Sequence, residues 1–192
     1  MICTLCPRRC AALRDASHGE GWCRLPQGLR VARAALHHWE EPCISGSRGA
    51  GTVFFSGCTL GCVFCQNGPI SHGNFGRPVS EDGLLDMFQR LADQGAHNLE
   101  LVTPTQYSHI LARVLERPVP GGLPVVWNSG GYERADTLRA LEGKVDVYLP
   151  DLKYLTPELA GRYSGAADYP AAAVAAIREM VRQTGPYVLE DG

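Results

Sequence analysis

Short apolar runs alternate with helical patterns along most of this chain, and this alternation restricts the fold more than any other feature. Four runs are predicted as buried strands: 52–55, 98–102, 123–127 and 145–149. Helices are predicted between and after them: one capped by Ser80 and ended by Gly95, and others near 107–115, 134–142 and 170–183. Such alternation predicts parallel strands joined by right-handed crossovers, in a doubly wound sheet or in part of a barrel.

The composition fits one main globular domain with a short addition at its N-terminus. Of the 192 residues, 45% are hydrophobic and 20% charged, and the net charge is -2. This balance predicts no nucleic-acid partner and no membrane partner. We expect a Cys-rich region at 1–28 and a main domain at 29–192, with a further strand within 29–39.

The cysteine content indicates metal binding. No apolar run approaches the roughly 20 residues that cross a bilayer, and the N-terminus lacks the apolar stretch of a signal peptide, so a cytoplasmic protein is expected. Thiols in that compartment stay reduced. The eight cysteines of this chain are therefore interpreted as metal ligands in preference to disulfide partners.

Three cysteines follow the first predicted strand as Cys58, Cys62 and Cys65, in a C-x3-C-x2-C pattern. Gly57 and Gly61 would let the backbone fold tightly around a compact metal cluster. Three thiolates satisfy three irons of a 4Fe–4S cluster, and S-adenosylmethionine can chelate the fourth through its amine and carboxylate. The alternative is structural zinc, which needs a fourth protein ligand.

A second set of cysteines occupies the N-terminal region: Cys3, Cys6, Cys10 and Cys23. Their C-x2-C-x3-C-x12-C spacing offers four soft ligands, which suit either zinc or an auxiliary iron–sulfur cluster. Free thiols without a metal are the alternative. Cys43 matches neither set and is expected to be a small buried residue.

The loop motif, with Phe64 before the last cysteine, resembles the signature of the radical S-adenosylmethionine superfamily. More of the chain, from CPRRC through FFSGC, CVFCQN, LVTPT and YLPDLKY, resembles an uncharacterised branch related to pyruvate formate-lyase activating enzyme. The resemblance implies an α/β fold, a partial (β/α)6 barrel. It also implies reductive cleavage of S-adenosylmethionine to a 5′-deoxyadenosyl radical, which abstracts hydrogen from a substrate.

The resemblance also implies cofactor contacts after the three later strands: Thr103, Thr105, Asn128, Ser129, Gly130, Asp151 and Lys153. Thr103 and Thr105 replace a Gly-Gly-Glu-type motif, and Asn128 stands where activating enzymes carry an acidic residue, so a charge is missing there. Lys153 is expected to neutralise the cofactor carboxylate. Ordinary turns and a surface ion pair remain the alternatives at these positions.

The implied partners are a glycyl radical enzyme or another protein substrate, together with an electron donor of flavodoxin or ferredoxin type. A radical reaction on a small molecule and a non-catalytic iron–sulfur or zinc-binding module are the competing functions. Only four βα units can be counted before residue 192, so we expect the C-terminal part of the barrel to be missing.

Overall fold

The computed structural model describes residues 1–186, so the last residues of the expected main domain, 187–192, lie outside it. Its strands are β1 (Ile2–Cys3), β2 (Ala12–Leu13), β3 (Leu29–His37), β4 (Ala50–Phe55), β5 (Arg77–Val79), β6 (Leu99–Val102), β7 (Val125–Ser129) and β8 (Val147–Pro150). Its helices are α1 (Pro42–Ser45), α2 (Gly68–Ser71), α3 (Glu81–Asp93), α4 (Ser108–Val114), α5 (Ala135–Arg139), α6 (Pro157–Ser164) and α7 (Tyr169–Thr184).

The main sheet has the order β5-β3-β4-β6-β7-β8, and β1 pairs with β2 in a separate small sheet. β4, β6, β7 and β8 are parallel, which confirms the α/β class and all four predicted strands. A doubly wound sheet reverses its strand order at a switch point, and the four parallel strands β4, β6, β7 and β8 show no such reversal. Successive crossovers therefore all step in one direction across the sheet.

The sheet also has an antiparallel edge, formed by β3 and β5, whose strand direction was not predicted from the sequence. β3 pairs antiparallel with both β4 and β5. The chain between β3 and β4 contains only the four-residue helix α1, and a parallel return needs a longer crossover, usually with a full helix. β5 was not predicted, because three residues that include Pro78 carry no strand pattern; a proline is tolerated on such an edge strand.

Helix α3 forms for the reasons read from the sequence. The Ser80 side chain accepts a hydrogen bond from the Gly83 backbone N–H at 3.0 Å, and acidic residues fill the first turn. Leu84, Phe88 and Leu91 are buried on its inner face. The other three predicted helices correspond to α4, α5 and α7, whereas α6 was not predicted.

The main core lies between the sheet and α3, α4, α5 and α7. Its largest buried side chain is Trp127 of β7, which packs with Val53, Leu101 and Phe88 in one apolar cluster. Side chains alternate between the two faces of a strand. The neighbouring residues Thr52, Glu100 and Asn128 therefore belong to the opposite face, which carries polar groups.

The N-terminal region packs against the main domain through Arg14, which is 1% exposed. Its guanidinium donates to the carbonyl oxygens of Leu25 and Pro26 and, at 2.8 Å, to that of Gln106. Within residues 1–186, no helix combines the length and apolar character needed to cross a bilayer.

Candidate functional site

The C-terminal ends of the parallel strands border one cavity of about 670 Å³. Its volume is typical of a cofactor or small-molecule site. Its lining includes nine of the residues singled out from the sequence: Cys58, Cys62, Cys65, Thr103, Asn128, Ser129, Gly130, Asp151 and Lys153. The three clustered cysteines and the segments that follow β6, β7 and β8 therefore meet in one place, as strand ends in this architecture do.

The loop after β4 turns tightly because two glycines have left-handed backbone angles. φ is +80° at Gly57 and +75° at Gly61, values that side-chain-bearing residues rarely adopt. A Cβ atom at Gly57 would overlap the side chain of Leu25, and one at Gly61 would lie 3.1 Å from Trp22. The expectation that these glycines permit a tight loop is confirmed.

Directed hydrogen bonds hold the three loop thiols. Cys62 is buried, and its Sγ accepts a hydrogen bond from Ser164 Oγ at 2.9 Å. The Sγ of Cys65 lies 3.1 Å from Ser71 Oγ. Burial raises the pKa of Cys58, the backbone N–H groups of the loop oppose this, and the charges of Cys62 and Cys65 raise it further. The three sulfur atoms therefore interact with one another.

The donor arrangement can be compared with the two metals considered. Within residues 1–186, no group of three or more His, Cys, Asp or Glu side chains is arranged to hold a single metal ion. Zinc needs its ligands to converge on one point. A cubane cluster binds each thiolate through a different iron, so three thiols around one cavity are compatible with it. His72, the nearest candidate for a fourth zinc ligand, also lines this cavity.

Asn128 is oriented by two carboxyl groups. Its Nδ2 donates to Glu100 Oε1 at 2.7 Å and lies 3.4 Å from Glu40 Oε2. Thr52 Oγ1 donates to the other oxygen of Glu100, which is fully buried. Sequence reasoning noted a missing negative charge at Asn128, and the structure places the Glu100 carboxylate beside it. The one sequence signal for this contact was Glu100 itself, an acidic residue within a predicted buried strand.

Glu40, which lines the cavity, has a pKa raised to about 7. Burial is the largest cause, followed by the hydrogen bond and charge of Glu100 and then the charge of Glu41. Glu40 therefore takes up a proton close to neutral pH. Arg33 and His37 line the same cavity.

Thr105 is not among the residues that line the cavity. It is 3% exposed, and its hydroxyl donates to Glu133 Oε1 at 2.9 Å. The same carboxyl group accepts from Trp127 Nε1 at 2.8 Å and from Ser129 Oγ at 3.0 Å. Burial is the largest influence on the pKa of Glu133 and raises it, although the three donors partly oppose this shift. The Thr105 and Ser129 hydroxyls thus serve an internal network that sequence reasoning missed.

Asp151 and Lys153 follow β8 and form an ion pair of 2.5 Å at the cavity. Both residues line the cavity, and the ion pair between them is compatible with the expected cofactor contact and with the alternative of a surface ion pair. Burial lowers the pKa of Lys153, but the hydrogen bond and charge of Asp151, with the Cys62 and Cys58 thiols, outweigh it and the net shift is upward. Lys153 therefore keeps its positive charge beside the cysteine loop.

Tyr169, the first residue of α7, joins the last two strand-end segments. Its buried hydroxyl accepts from the Lys153 backbone N–H at 2.9 Å and lies 2.9 Å from the carbonyl oxygens of Gly130 and Asp151. At Gly131, where φ is +72°, a Cβ atom would overlap the Asp151 carbonyl. These two segments are thus fixed closely against each other.

The four N-terminal cysteines line a separate, narrow cavity of about 20 Å³ together with Arg8, Trp22 and Gln106. Burial raises the pKa of Cys6 to about 12, and the charges of the other three cysteines contribute to that rise. The spacing therefore brings Cys3, Cys6, Cys10 and Cys23 together. Cys43 is exposed, so the expectation that it is buried was wrong.

The fold and the cavity place this chain among mixed α/β proteins with a parallel sheet and a site at the strand ends. No family model matches its sequence. The chain is 30% identical over 175 residues to an uncharacterized protein of Methanocaldococcus jannaschii. The alignment covers 87% of this chain and 50% of that relative, so the chain spans about half the length of the relative.

Proposed function

We propose that this chain carries the cofactor-binding part of a radical S-adenosylmethionine enzyme. The supporting observation is that Cys58, Cys62 and Cys65 share one cavity of about 670 Å³ with the segments that follow the other three parallel strands. Three thiols leave one iron of a cubane cluster for an external ligand. The cavity has the volume that a nucleoside-sized ligand requires beside the loop.

The proposed architecture is a partial barrel of the (β/α)6 type. The order β4-β6-β7-β8 follows the sequence without reversal, which is how strands are arranged when a sheet curves toward closure. All their C-terminal ends then face the same opening. The antiparallel strands β3 and β5 complete the described sheet on the other side.

Cys58, Cys62 and Cys65 would hold a 4Fe–4S cluster, whose chemistry is the delivery of one electron to S-adenosylmethionine. Lys153, kept charged by Asp151, would face the methionine carboxylate. The amide Nδ2 of Asn128 is engaged by Glu100, which leaves its Oδ1 to accept a hydrogen bond from the ligand. Thr103 and Gly130 would contribute backbone contacts from the cavity wall.

Apolar residues of the cavity wall would limit the access of water. Phe54, Leu60 and Ile70 contribute to its lining, and a dry site strengthens the interactions of the charged groups within it. Thr105 no longer belongs among the proposed ligand contacts, because its hydroxyl is committed to Glu133. Ser129 lines the cavity, but its hydroxyl has the same partner.

The proposed substrate is the glycyl residue of a partner enzyme, with a small molecule as the competing substrate. A flavodoxin- or ferredoxin-type protein would donate the electron. A second metal, zinc or iron–sulfur, is proposed at the N-terminal cysteines because of their spacing and their shared cavity. Zinc would require the four thiols to converge on one ion, which no group of side chains within residues 1–186 does in this structure.

The test is anaerobic reconstitution with iron and sulfide, followed by reduction in the presence of S-adenosylmethionine and measurement of 5′-deoxyadenosine. Wild type should form it. Cys62→Ala should lose both the product and the visible absorption of the loop cluster, because a ligand is removed. Cys43→Ala, at an exposed cysteine outside both sets, is the matched control and should retain both.

Iron uptake without any 5′-deoxyadenosine would instead favour a non-catalytic metal-binding module. Equal behaviour of Cys62→Ala and Cys43→Ala would contradict the assignment of the loop. Metal analysis of the Cys62→Ala protein separates zinc from iron at the N-terminal cysteines.

A further inference from the structure

Arg8 connects the N-terminal cysteine region to the loop that carries the other cysteines. Its Nε donates to the carbonyl oxygen of Thr59 at 2.9 Å, and its Nη2 donates to that of Leu60 at 2.7 Å. Thr59 and Leu60 lie between Cys58 and Cys62. One guanidinium therefore fixes two consecutive peptide units in the middle of the loop.

The same guanidinium also contacts the C-terminal end of α6. Nη2 donates to the Ser164 carbonyl at 2.8 Å, and Nη1 donates to the Gly165 carbonyl. Carbonyl groups at a helix C-terminus lack partners within the helix, and a cation there is favourable. Ser164 Oγ in turn donates to Cys62 Sγ. Arg8 thus stabilises the helix end that supports the Cys62 thiol.

The N-terminal region holds Arg8 in this position. The Arg8 guanidinium lies 3.8 Å from the centre of the Trp22 ring, in a cation–π contact. The Trp22 backbone N–H donates to Cys10 Sγ at 3.5 Å. A Cβ atom at Gly61 or Gly165 would lie 3.1 or 3.3 Å from the Trp22 ring, so small residues at both positions admit the stacked pair.

We propose that Arg8 is a positioning residue, and that through it the N-terminal cysteine region holds the Cys58–Cys62 loop in the shape that binds metal. The metal-binding part of this inference rests on the proposed function. A flexible loop must lose conformational freedom when it binds, and anchoring its carbonyl groups beforehand reduces that cost. The four N-terminal cysteines then act on the loop without touching its metal.

Hydrogen exchange on the metal-free protein tests the positioning role directly. The Val63 and Cys65 amides report on the loop, since they donate to the carbonyls of Tyr163 and Cys62. In Arg8→Gln, exchange in peptides covering 58–65 should rise about tenfold relative to wild type, because charge-assisted hydrogen bonds are lost. Arg8→Lys should give an intermediate rise, since one ammonium cannot reach all four carbonyls.

Arg9→Gln is the matched control, because Arg9 is an exposed neighbour whose side chain makes no hydrogen bond or ion pair within residues 1–186. It should exchange as wild type does. Amides of β6 serve as an internal reference for global stability. If Arg8→Gln also accelerates exchange in β6, the protein is destabilised as a whole, and the loop exchange of Arg8→Lys is compared with that of Arg9→Gln instead. Equal loop exchange in the Arg8 variant and in Arg9→Gln would overturn the proposal.

A second measurement follows iron release from the reconstituted proteins to a chelator. Arg8→Gln should lose loop iron several-fold faster than Arg9→Gln, and equal rates would contradict the coupling to metal. If wild type takes up no iron, the proposed function fails, while the exchange comparison on metal-free protein still decides the role of Arg8.

Discussion

Glu40 and Glu100 place two carboxyl groups around one amide at the floor of the cavity. Asn128 donates to Glu100 and lies close to Glu40. Two carboxylates this close cannot both ionise without cost, and the pKa of Glu40 is raised to about 7. The protonation of Glu40, which lines the cavity, therefore depends on pH near neutrality.

The stability of the protein should respond to Glu40 between about pH 4.5 and 7. The folded state holds the proton more tightly than the unfolded chain in this range, since the pKa rises from 4.5 to about 7 on folding. This contribution is present at low pH and is lost as the pH rises through 7. Glu100→Gln should lower the Glu40 pKa and flatten the dependence, measured as melting temperature from pH 5 to 8.

The difference between wild type and Glu100→Gln is the quantity to follow, because His109 has the opposite slope. Burial, with the charges of Arg14 and Arg113, lowers the pKa of His109 to about 4, so its contribution is lost as the pH falls below about 6.5. Glu20→Gln, at an exposed carboxylate, should reproduce the wild-type profile. An unchanged slope in Glu100→Gln would show that Glu100 does not raise the pKa of Glu40.

Glu133 connects the segments that follow β6 and β7. One buried carboxyl group accepts hydrogen bonds from Thr105 in the segment after β6 and from Ser129, the last residue of β7, with Trp127 of β7 as the third donor. Hydrogen bonds to Glu133 therefore connect the C-terminal ends of β6 and β7 on the side away from the cavity. This network explains why two hydroxyl groups after strands are not available to a ligand.

Glu133→Leu should destabilise the protein by about 1–3 kcal/mol, because the buried indole N–H of Trp127 then has no acceptor. The indole N–H cannot reverse its polarity, whereas the hydroxyl groups of Thr105 and Ser129 can rotate. Denaturant unfolding measures the loss. Glu116→Leu, at a largely exposed side chain, is the control and should change stability by less than about 0.5 kcal/mol. A loss in Glu133→Leu no larger than in this control would refute the network's role.

The parts of the fold that could be predicted are those set by local pattern. The strands β4, β6, β7 and β8 are apolar runs, and α3 has a cap and an amphipathic face. The elements β5 and α6 were not predicted, because neither has a clear periodic pattern of apolar residues. β5 has only three residues, and α6 leaves Leu159 46% exposed.

The candidate site likewise has residues that could be predicted from local pattern and contacts that could not. The residues directly after each strand could be named, because parallel strands present their C-terminal ends at one edge. Glu100 contacts Thr52, 48 residues away, and Tyr169 contacts Gly130, 39 residues away. Partners so distant along the chain follow from sheet register and helix packing, which a single sequence does not reveal.

Arg14 secures the N-terminal region to the rest of the protein. It is almost fully buried, and within residues 1–186 it has no carboxylate partner; its charge is satisfied by carbonyl oxygens of Leu25, Pro26 and Gln106. Hydrogen bonds to a charged group contribute about 1.5–3 kcal/mol each. Of these hydrogen bonds, the one to Gln106 reaches the main domain, so Arg14 contributes to the docking of the cysteine-rich region beside the four hydrogen bonds that Arg8 makes to that domain.

Arg14→Met should loosen the packing of the N-terminal region, which Arg8 still anchors, and make it more susceptible to proteolysis. We expect cleavage within residues 1–28 by thermolysin to be at least several-fold faster, because the Gln106 contact to the main domain is lost. Timed digestion with mass spectrometry measures it. Arg24→Gln, at an exposed position, should digest as wild type does; equal rates for both variants would mean that other contacts dock this region.

Tyr169 couples the position of a helix to the shape of the cavity. Because its hydroxyl contacts Lys153, Gly130 and Asp151 from the first turn of α7, that helix cannot shift without moving the cavity wall. Substitutions at buried small residues of α7, such as Ala173 and Ala176, would therefore change the cavity although they lie outside its lining. If the cavity binds a ligand as proposed, such substitutions should alter its affinity.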